Sequence, residues 1–220
     1  MKFIDTHLEA GKGQSRNRRI VSRIVMRTVV VGGHSRNVGK TAVVASLIQN
    51  LPEYSWTAMK ISAHWHERVF PPGRGHPDDI CNIYEESEGG GSSDTARFLD
   101  AGASRSFWIH VKKGGLEASM PRLLPILNAS PAVIIESNSI LRFVQPDLYI
   151  IVLKYDIKDF KPSARESIEK AHAAVVINCG AARPEWGDVS LAALQRIPVF
   201  TAKDLQSIPE NLADFVRSRL

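Results

Sequence analysis

Short β-branched and aliphatic runs recur along this chain, and helical patterns separate them. The first run, Thr28-Val29-Val30-Val31, has the composition of a parallel strand buried on both faces. Similar runs at 56–61, 106–111, 132–136, 148–154, 174–178 and 197–200 predict six further strands. Between them, helices are predicted over 42–48, 95–101, 116–128, 139–144, 163–171, 189–195 and 211–217, with Pro121 and Pro125 breaking up the third. Buried strands alternating with helices mean an α/β fold in three layers, a parallel sheet covered on both faces. Ligands of such sheets bind beyond the carboxyl ends of the strands. Gly39, Lys40, residues 60–66, Glu136, Asp156 and Asn178 all fall at such ends and are expected around one cleft.

Two segments depart from the alternation. Residues 1–27 carry Arg16, Arg18, Arg19, Arg23 and Arg27. They read as a basic arm toward nucleic acid or an acidic partner, or as a solvated, partly helical lead-in to a domain spanning 28–220. Met26 lies at the place where such domains often begin, so residues 1–25 are expected to be dispensable for the fold. Residues 71–93 form a long polar stretch with Pro71-Pro72 and Gly89-Gly90-Gly91, predicted to be a functional or mobile loop. It ends in Ser92-Ser93-Asp94-Thr95, where a serine or aspartate caps the helix over 95–101, and Gly102 closes that helix.

Length and composition narrow the classes. A chain of 220 residues suits one well-buried domain. The net charge of +5 suits phosphate ligands and is too mild to argue for nucleic acid. Two cysteines without paired spacing indicate neither a disulfide framework nor a cysteine zinc site. No apolar run approaches the ~20 residues that a membrane helix needs. The N-terminus lacks the apolar core of a signal peptide, so a cytoplasmic protein is expected, with a homodimer as a candidate state.

The chemistry concentrates after the first strand. The chain reads Gly32-Gly33-His34-Ser35-Arg36-Asn37-Val38-Gly39-Lys40-Thr41-Ala42 before a helix that is apolar on most sides. This has the mechanics of a phosphate-binding loop, in which backbone N–H groups from Gly33 to Ala42 and the helix dipole face a triphosphate. Lys40 would reach the β- and γ-phosphates, and Thr41 would ligate Mg²⁺. The usual first glycine position is His34, and Gly33 lies one residue further out. A loop longer by one residue, with Val38, resembles the dethiobiotin synthetase, cobyrinate amide synthase and MinD-like ATPases.

A second resemblance covers residues 28–155. Lys60-Ile61-Ser62-Ala63-His64-Trp65-His66, the block Ser93-Asp94-Thr95-Ala96-Arg97 through Ala101-Gly102-Ala103, and the strand end Val133-Ile134-Ile135-Glu136 are similar to the molybdopterin-guanine dinucleotide biosynthesis protein B (MobB-like) family. Glu136 is followed by Ser137-Asn138-Ser139 where that family has Gly. The resemblance implies a P-loop nucleoside triphosphate hydrolase fold and a nucleotide-binding protein that serves a cofactor-biosynthesis enzyme.

Each residue has a plainer alternative. Glu136 reads as a carboxylate holding Mg²⁺ or its waters, or as an acid at the start of the next helix. Asp94 helps hold Mg²⁺ or positions a water, or only caps its helix. Asp156 is a second metal-shell acid or a loop aspartate. Lys60, His64 and His66 contact substrate or phosphate, or lie on the surface; His64, His66, His76 and Cys81 also raise a zinc site without tight spacing. Asn178 ends a strand and is followed by Cys179-Gly180-Ala181 with no carboxylate, which favours adenine and ATP, whereas the MobB-like resemblance favours GTP. Three functions follow: a slow Mg²⁺-dependent nucleoside triphosphatase with catalysis resting on Lys40, Glu136 and Asp94; an ATP-dependent synthetase or kinase; and a non-catalytic adaptor.

Overall fold

The computed structural model describes residues 27–62, 80–186 and 192–220. Its strands are β1 (Arg27–Gly33), β2 (Thr57–Ser62), β3 (Cys81–Glu86), β4 (Arg105–Val111), β5 (Ala132–Glu136), β6 (Leu148–Lys154), β7 (Ala173–Ile177) and β8 (Val199–Ala202). The helices are α1 (Lys40–Asn50), α2 (Asp94–Asp100), α3 (Leu116–Asn128), α4 (Pro162–Ser167) and α5 (Asn211–Arg217). The strands form one sheet in the order β3-β4-β2-β5-β1-β6-β7-β8. All neighbours run parallel except β3, which is antiparallel to β4.

Successive residues of a strand point to opposite faces, and both faces of this sheet are apolar. Val29, Val31, Ala58 and Ile134 pack with Val43, Val44, Leu47 and Ile48 of α1, Phe98 of α2 and Leu212 and Val216 of α5. Val30, Met59, Val133 and Ile135 pack on the other side with Leu116, Met120, Leu123 and Leu127 of α3 and Ala164 of α4. The expected three-layer architecture is therefore present. β1 lies between β5 and β6, and the chain leaves it in one direction for β2 and later crosses to the other side for β6. That reversal opens a crevice at the carboxyl end of β1.

Several expectations are corrected. Part of the stretch expected to be loop, 71–93, is the edge strand β3, and it makes the sheet mixed. An edge strand buries only one flank, so Asn82, Tyr84, Glu85 and Glu86 suit it although they obscure the apolar signal. Pro121 and Pro125 lie inside the uninterrupted helix α3. Glu117, Pro121 and Pro125 are all exposed, so the carbonyls that lose an N–H partner face water, which can replace it. The helices expected over 139–144 and 163–171 are tighter: a 3₁₀ turn over Ser139–Arg142, and the short α4 followed by a 3₁₀ turn over Ile168–Lys170. Of the helix expected over 189–195, the described part is a 3₁₀ turn over Ala192–Arg196.

Candidate phosphate-binding site

β1 runs into the loop through two glycines that have no room for a side chain. A Cβ on Gly32 would meet the Tyr149 hydroxyl at 2.7 Å, and one on Gly33 would meet Val38 Cγ2 at 2.6 Å and Lys40 Cδ at 3.0 Å. Gly33 thus serves as the first glycine of the loop, at the longer spacing. Asn138 clasps it from the end of β5: Gly33 N–H donates to Asn138 Oδ1 at 2.8 Å, and Asn138 Nδ2 donates to Gly33 O at 2.8 Å. The Ser137-Asn138-Ser139 sequence therefore has a structural role that sequence reading missed.

Gly39 closes the loop at φ +98°, a left-handed conformation that L side chains rarely adopt, and its missing Cβ leaves space for Leu205 and Ile177. Asn37 is also left-handed, at φ 57°, which asparagine tolerates better than most residues. Lys40 opens α1 and folds back over the loop, its Nζ donating to Ser35 O at 3.0 Å. Ser35 and Val38 are buried, Ala42 is half-buried, and Arg36 and Asn37 are exposed on the rim.

On one flank of the loop lies a charged group. Thr41 Oγ1 donates to Glu136 Oε2 at 2.8 Å, and Lys60 Nζ donates to Glu136 Oε1 at 3.1 Å and to Asp94 Oδ2. Lys60 and Glu136 are direct partners in the β2–β5 register, so the backbone itself sets them side by side. Asp94 is delivered by the start of α2, where Ala96 N–H donates to Ser93 Oγ at 3.0 Å. Ser93 is the cap, which leaves the Asp94 carboxylate for Lys60. Burial lowers the affinity of Lys60 for its proton, but Glu136 and Asp94 outweigh it and hold the ammonium above its ordinary range. Lys40 is shifted the other way: burial, with Lys60 and Lys161 nearby, outweighs Glu136 and Asp94.

The opposite flank is built around a buried ring. His34 is fully buried, stacked near Trp186 and Phe160 at ring separations of 4.5 and 5.1 Å. Its Nδ1 lies 2.8 Å from Asp159 O, and Lys154 N–H donates to its Nε2 at 3.1 Å. A carbonyl can only accept, so Nδ1 carries a hydrogen toward Asp159 O, and Nε2 also lies 3.1 Å from Lys154 O. Burial, the largest influence, lowers the proton affinity of the ring. Lys161 N–H donates to His34 O at 2.8 Å, and Ser35 Oγ donates to Asp159 Oδ2 at 2.5 Å. The residue that breaks the usual glycine pattern is thus the anchor tying the loop to the segment after β6. Neither Asp159 nor Lys161 carries a sequence signal for this.

The remaining candidates divide. Asp156 is exposed and pairs with Lys154 at 3.1 Å. Asn178 follows β7, and its Oδ1 accepts from Gly180 N–H at 3.0 Å in a local turn. Cys81 is buried in β3. His64, His66 and His76 lie outside the described residues, and no group of three metal-ligating side chains occurs among the described ones. Much of the 93–103 block is helix punctuation: Ser93 caps α2, and Gly102 at φ +101° ends it with Ala103 N–H donating to Phe98 O at 3.0 Å. Gly90 N–H donates to Asp100 Oδ1 at 2.8 Å, which ties the glycine run to the end of that helix.

No protein-family model matches the chain, and no curated protein sequence does. Among solved structures, it is similar to the "apo" form of LpxK from Aquifex aeolicus in complex with ATP, at 19% identity and TM-score 0.47, covering 82% of this chain and 55% of that one. HypB from Helicobacter pylori in complex with nickel aligns at 14% identity and TM-score 0.42, over 86% and 85% of the two chains. The LAO/AO transport system kinase aligns at 14% identity and TM-score 0.46, over 92% and 62%. The chain spans just over half the length of the LpxK chain. The central β1, the glycine-framed loop and the helix opened by Lys40-Thr41 together give the strand–loop–helix geometry of a phosphate-binding loop within a three-layer α/β fold.

Proposed function

We propose that the chain binds a nucleoside triphosphate with Mg²⁺ and hydrolyses it slowly. The observation that carries this is the junction at Gly39–Thr41. α1 begins there with no side-chain cap and no acid in its first turn, directly after a loop whose Lys40 already arches over it. Helix-start N–H groups of this kind, with a lysine beside them, favour a multiply charged anion. Thr41, Glu136 and Asp94 offer hard oxygen atoms, which suit Mg²⁺. When bound, the metal would neutralise charge developing on the phosphates. The chain's own part is to position: loop amides and Lys40 hold the phosphate oxygens, and Glu136 keeps the Thr41 hydroxyl oriented.

Asn178 supports a purine base on the flank beyond Gly39. Its Nδ2 can donate to N7, an acceptor on both purines. An adenine-specific contact also uses Oδ1, which would then accept a hydrogen from N6 besides that of Gly180 N–H. With no carboxylate in Cys179-Gly180-Ala181, ATP remains the preferred nucleotide. Service to a cofactor-biosynthesis enzyme, in the MobB-like manner, rests on Asp94 and the motif around it.

Calorimetric titration of ATP and GTP with Mg²⁺, followed by steady-state phosphate release, tests the reading. Micromolar binding with slow turnover is expected. Binding without turnover would leave an adaptor, and no binding of either nucleotide would overturn the proposal. Asn178→Ala is expected to erase most of an ATP preference, about 5- to 150-fold for a two-bond base contact.

A further inference from the structure

We propose that Lys60 is a resident counter-ion that a divalent cation must displace, so that this lysine sets the threshold for metal binding beside the loop. The inference rests on the nucleotide-binding reading above and concerns how that site is regulated.

Three features carry it. The first is register. Lys60 and Glu136 are opposed residues of neighbouring parallel strands, so their side chains leave the sheet on the same face and meet there. The pairing is a property of the backbone and does not depend on one rotamer. The second is the oxygen set. Glu136 is buried and uses one oxygen for Thr41 and the other for Lys60, and Asp94 gives an oxygen to the same ammonium. Thr41, Glu136 and Asp94 are the groups a hard cation would take, and Lys60 lies between the two carboxylates.

The third is charge. Glu136 and Asp94 supply two negative charges; Lys60 and Lys40 supply two positive ones, so the cluster is neutral as it stands. A divalent ion at the carboxylates would meet the Lys60 ammonium at close range, and like charges there repel strongly. Lys60 must swing away. The side chain is 24% exposed, so it has room, and its cross-strand neighbour on the other side is Trp108, whose indole face can receive a cation.

Mn²⁺ is the probe, added without nucleotide to the full chain and followed by electron paramagnetic resonance. Lys60→Met, which keeps bulk and removes charge, is expected to bind Mn²⁺ at least ~10-fold more tightly than the unaltered protein, a ratio of about 1.4 kcal/mol. Lys60→Arg should stay as weak as the unaltered protein, and adding Glu136→Gln to Lys60→Met should remove the gain. Equal affinity of Lys60→Met and unaltered protein would overturn the proposal, as would a gain that Lys60→Arg shares or that survives Glu136→Gln. Should Lys60→Met fail to fold, the ammonium signal of Lys60 in the unaltered protein decides by NMR. It is expected to shift or vanish at saturating Mg²⁺, and an unchanged signal refutes displacement. ATP affinity of Lys40→Ala is measured alongside: if that falls while the Lys60 results fail, only the exchange is wrong and the nucleotide reading stands.

Discussion

The two flanks of the Gly33–Thr41 loop are held by different kinds of interaction. Toward β5 and β2 the contacts are ionic: Thr41, Glu136, Lys60 and Asp94 share hydrogen-bonded charges. Toward β6 they centre on a buried ring: the imidazole of His34 bonds to the backbone of Asp159 and Lys154 and packs against Trp186 and Phe160, with Ser35 bonded to the Asp159 carboxylate beside it. Ion pairs can trade partners when another ion arrives, whereas a buried ring with both nitrogens bonded has no better alternative. The comparison assigns the first flank to ion exchange and the second to holding the loop in place.

Gly39→Ala breaks both flanks at once and should have the largest effect. The left-handed backbone and the collision with Ile177 and Leu205 together should cost about 2–5 kcal/mol. Chemical denaturation checks this, and a loss below ~1 kcal/mol would mean that the loop relaxes freely. His34→Ala attacks the second flank alone. It strands the Lys154 N–H and the Asp159 carbonyl and removes ring packing, for an expected loss of about 2–4 kcal/mol by the same measurement.

Acid sharpens the contrast with a smaller effect. The folded state holds the proton affinity of His34 below the ordinary value of 6.5, so the unfolded chain takes up a proton first as pH falls. Stability is therefore full above that value and declines below it, by at most about 1.4 kcal/mol per pH unit, until His34 itself protonates. His172 shifts in the same direction, so the slope is compared with that of His34→Gln, which should be shallower. Equal slopes would remove His34 from the account. The exposed pair Arg105–Glu85 supplies the small end of the scale: Glu85→Gln should change stability by about 0.5 kcal/mol or less.

Much of this was legible in the sequence, and the failures have causes. The strand after residue 27, the Gly-Lys-Thr junction and Glu136 were visible because buried parallel strands and helix starts impose composition locally. β3 was hidden because an edge strand needs only one apolar flank. Asn138, Asp159 and Lys161 were invisible for a different reason. They reach the loop across 105 to 127 residues of chain, and no local periodicity encodes that pairing. His34 stands where the usual pattern has glycine, and its role emerges once Trp186, Phe160 and the segment after β6 are folded around it.

The central claim is that the loop at Gly33–Thr41 holds a nucleoside triphosphate. Lys40→Ala tests it most directly, because among the described residues the Lys40 ammonium bonds to Ser35 O, and it would make its strongest contacts with phosphate oxygens. Affinity for Mg²⁺–ATP and melting temperature are measured for both forms. The account predicts that affinity falls at least ~100-fold, about 2.7 kcal/mol, while the melting temperature is kept or raised. Equal affinity in the variant would contradict it.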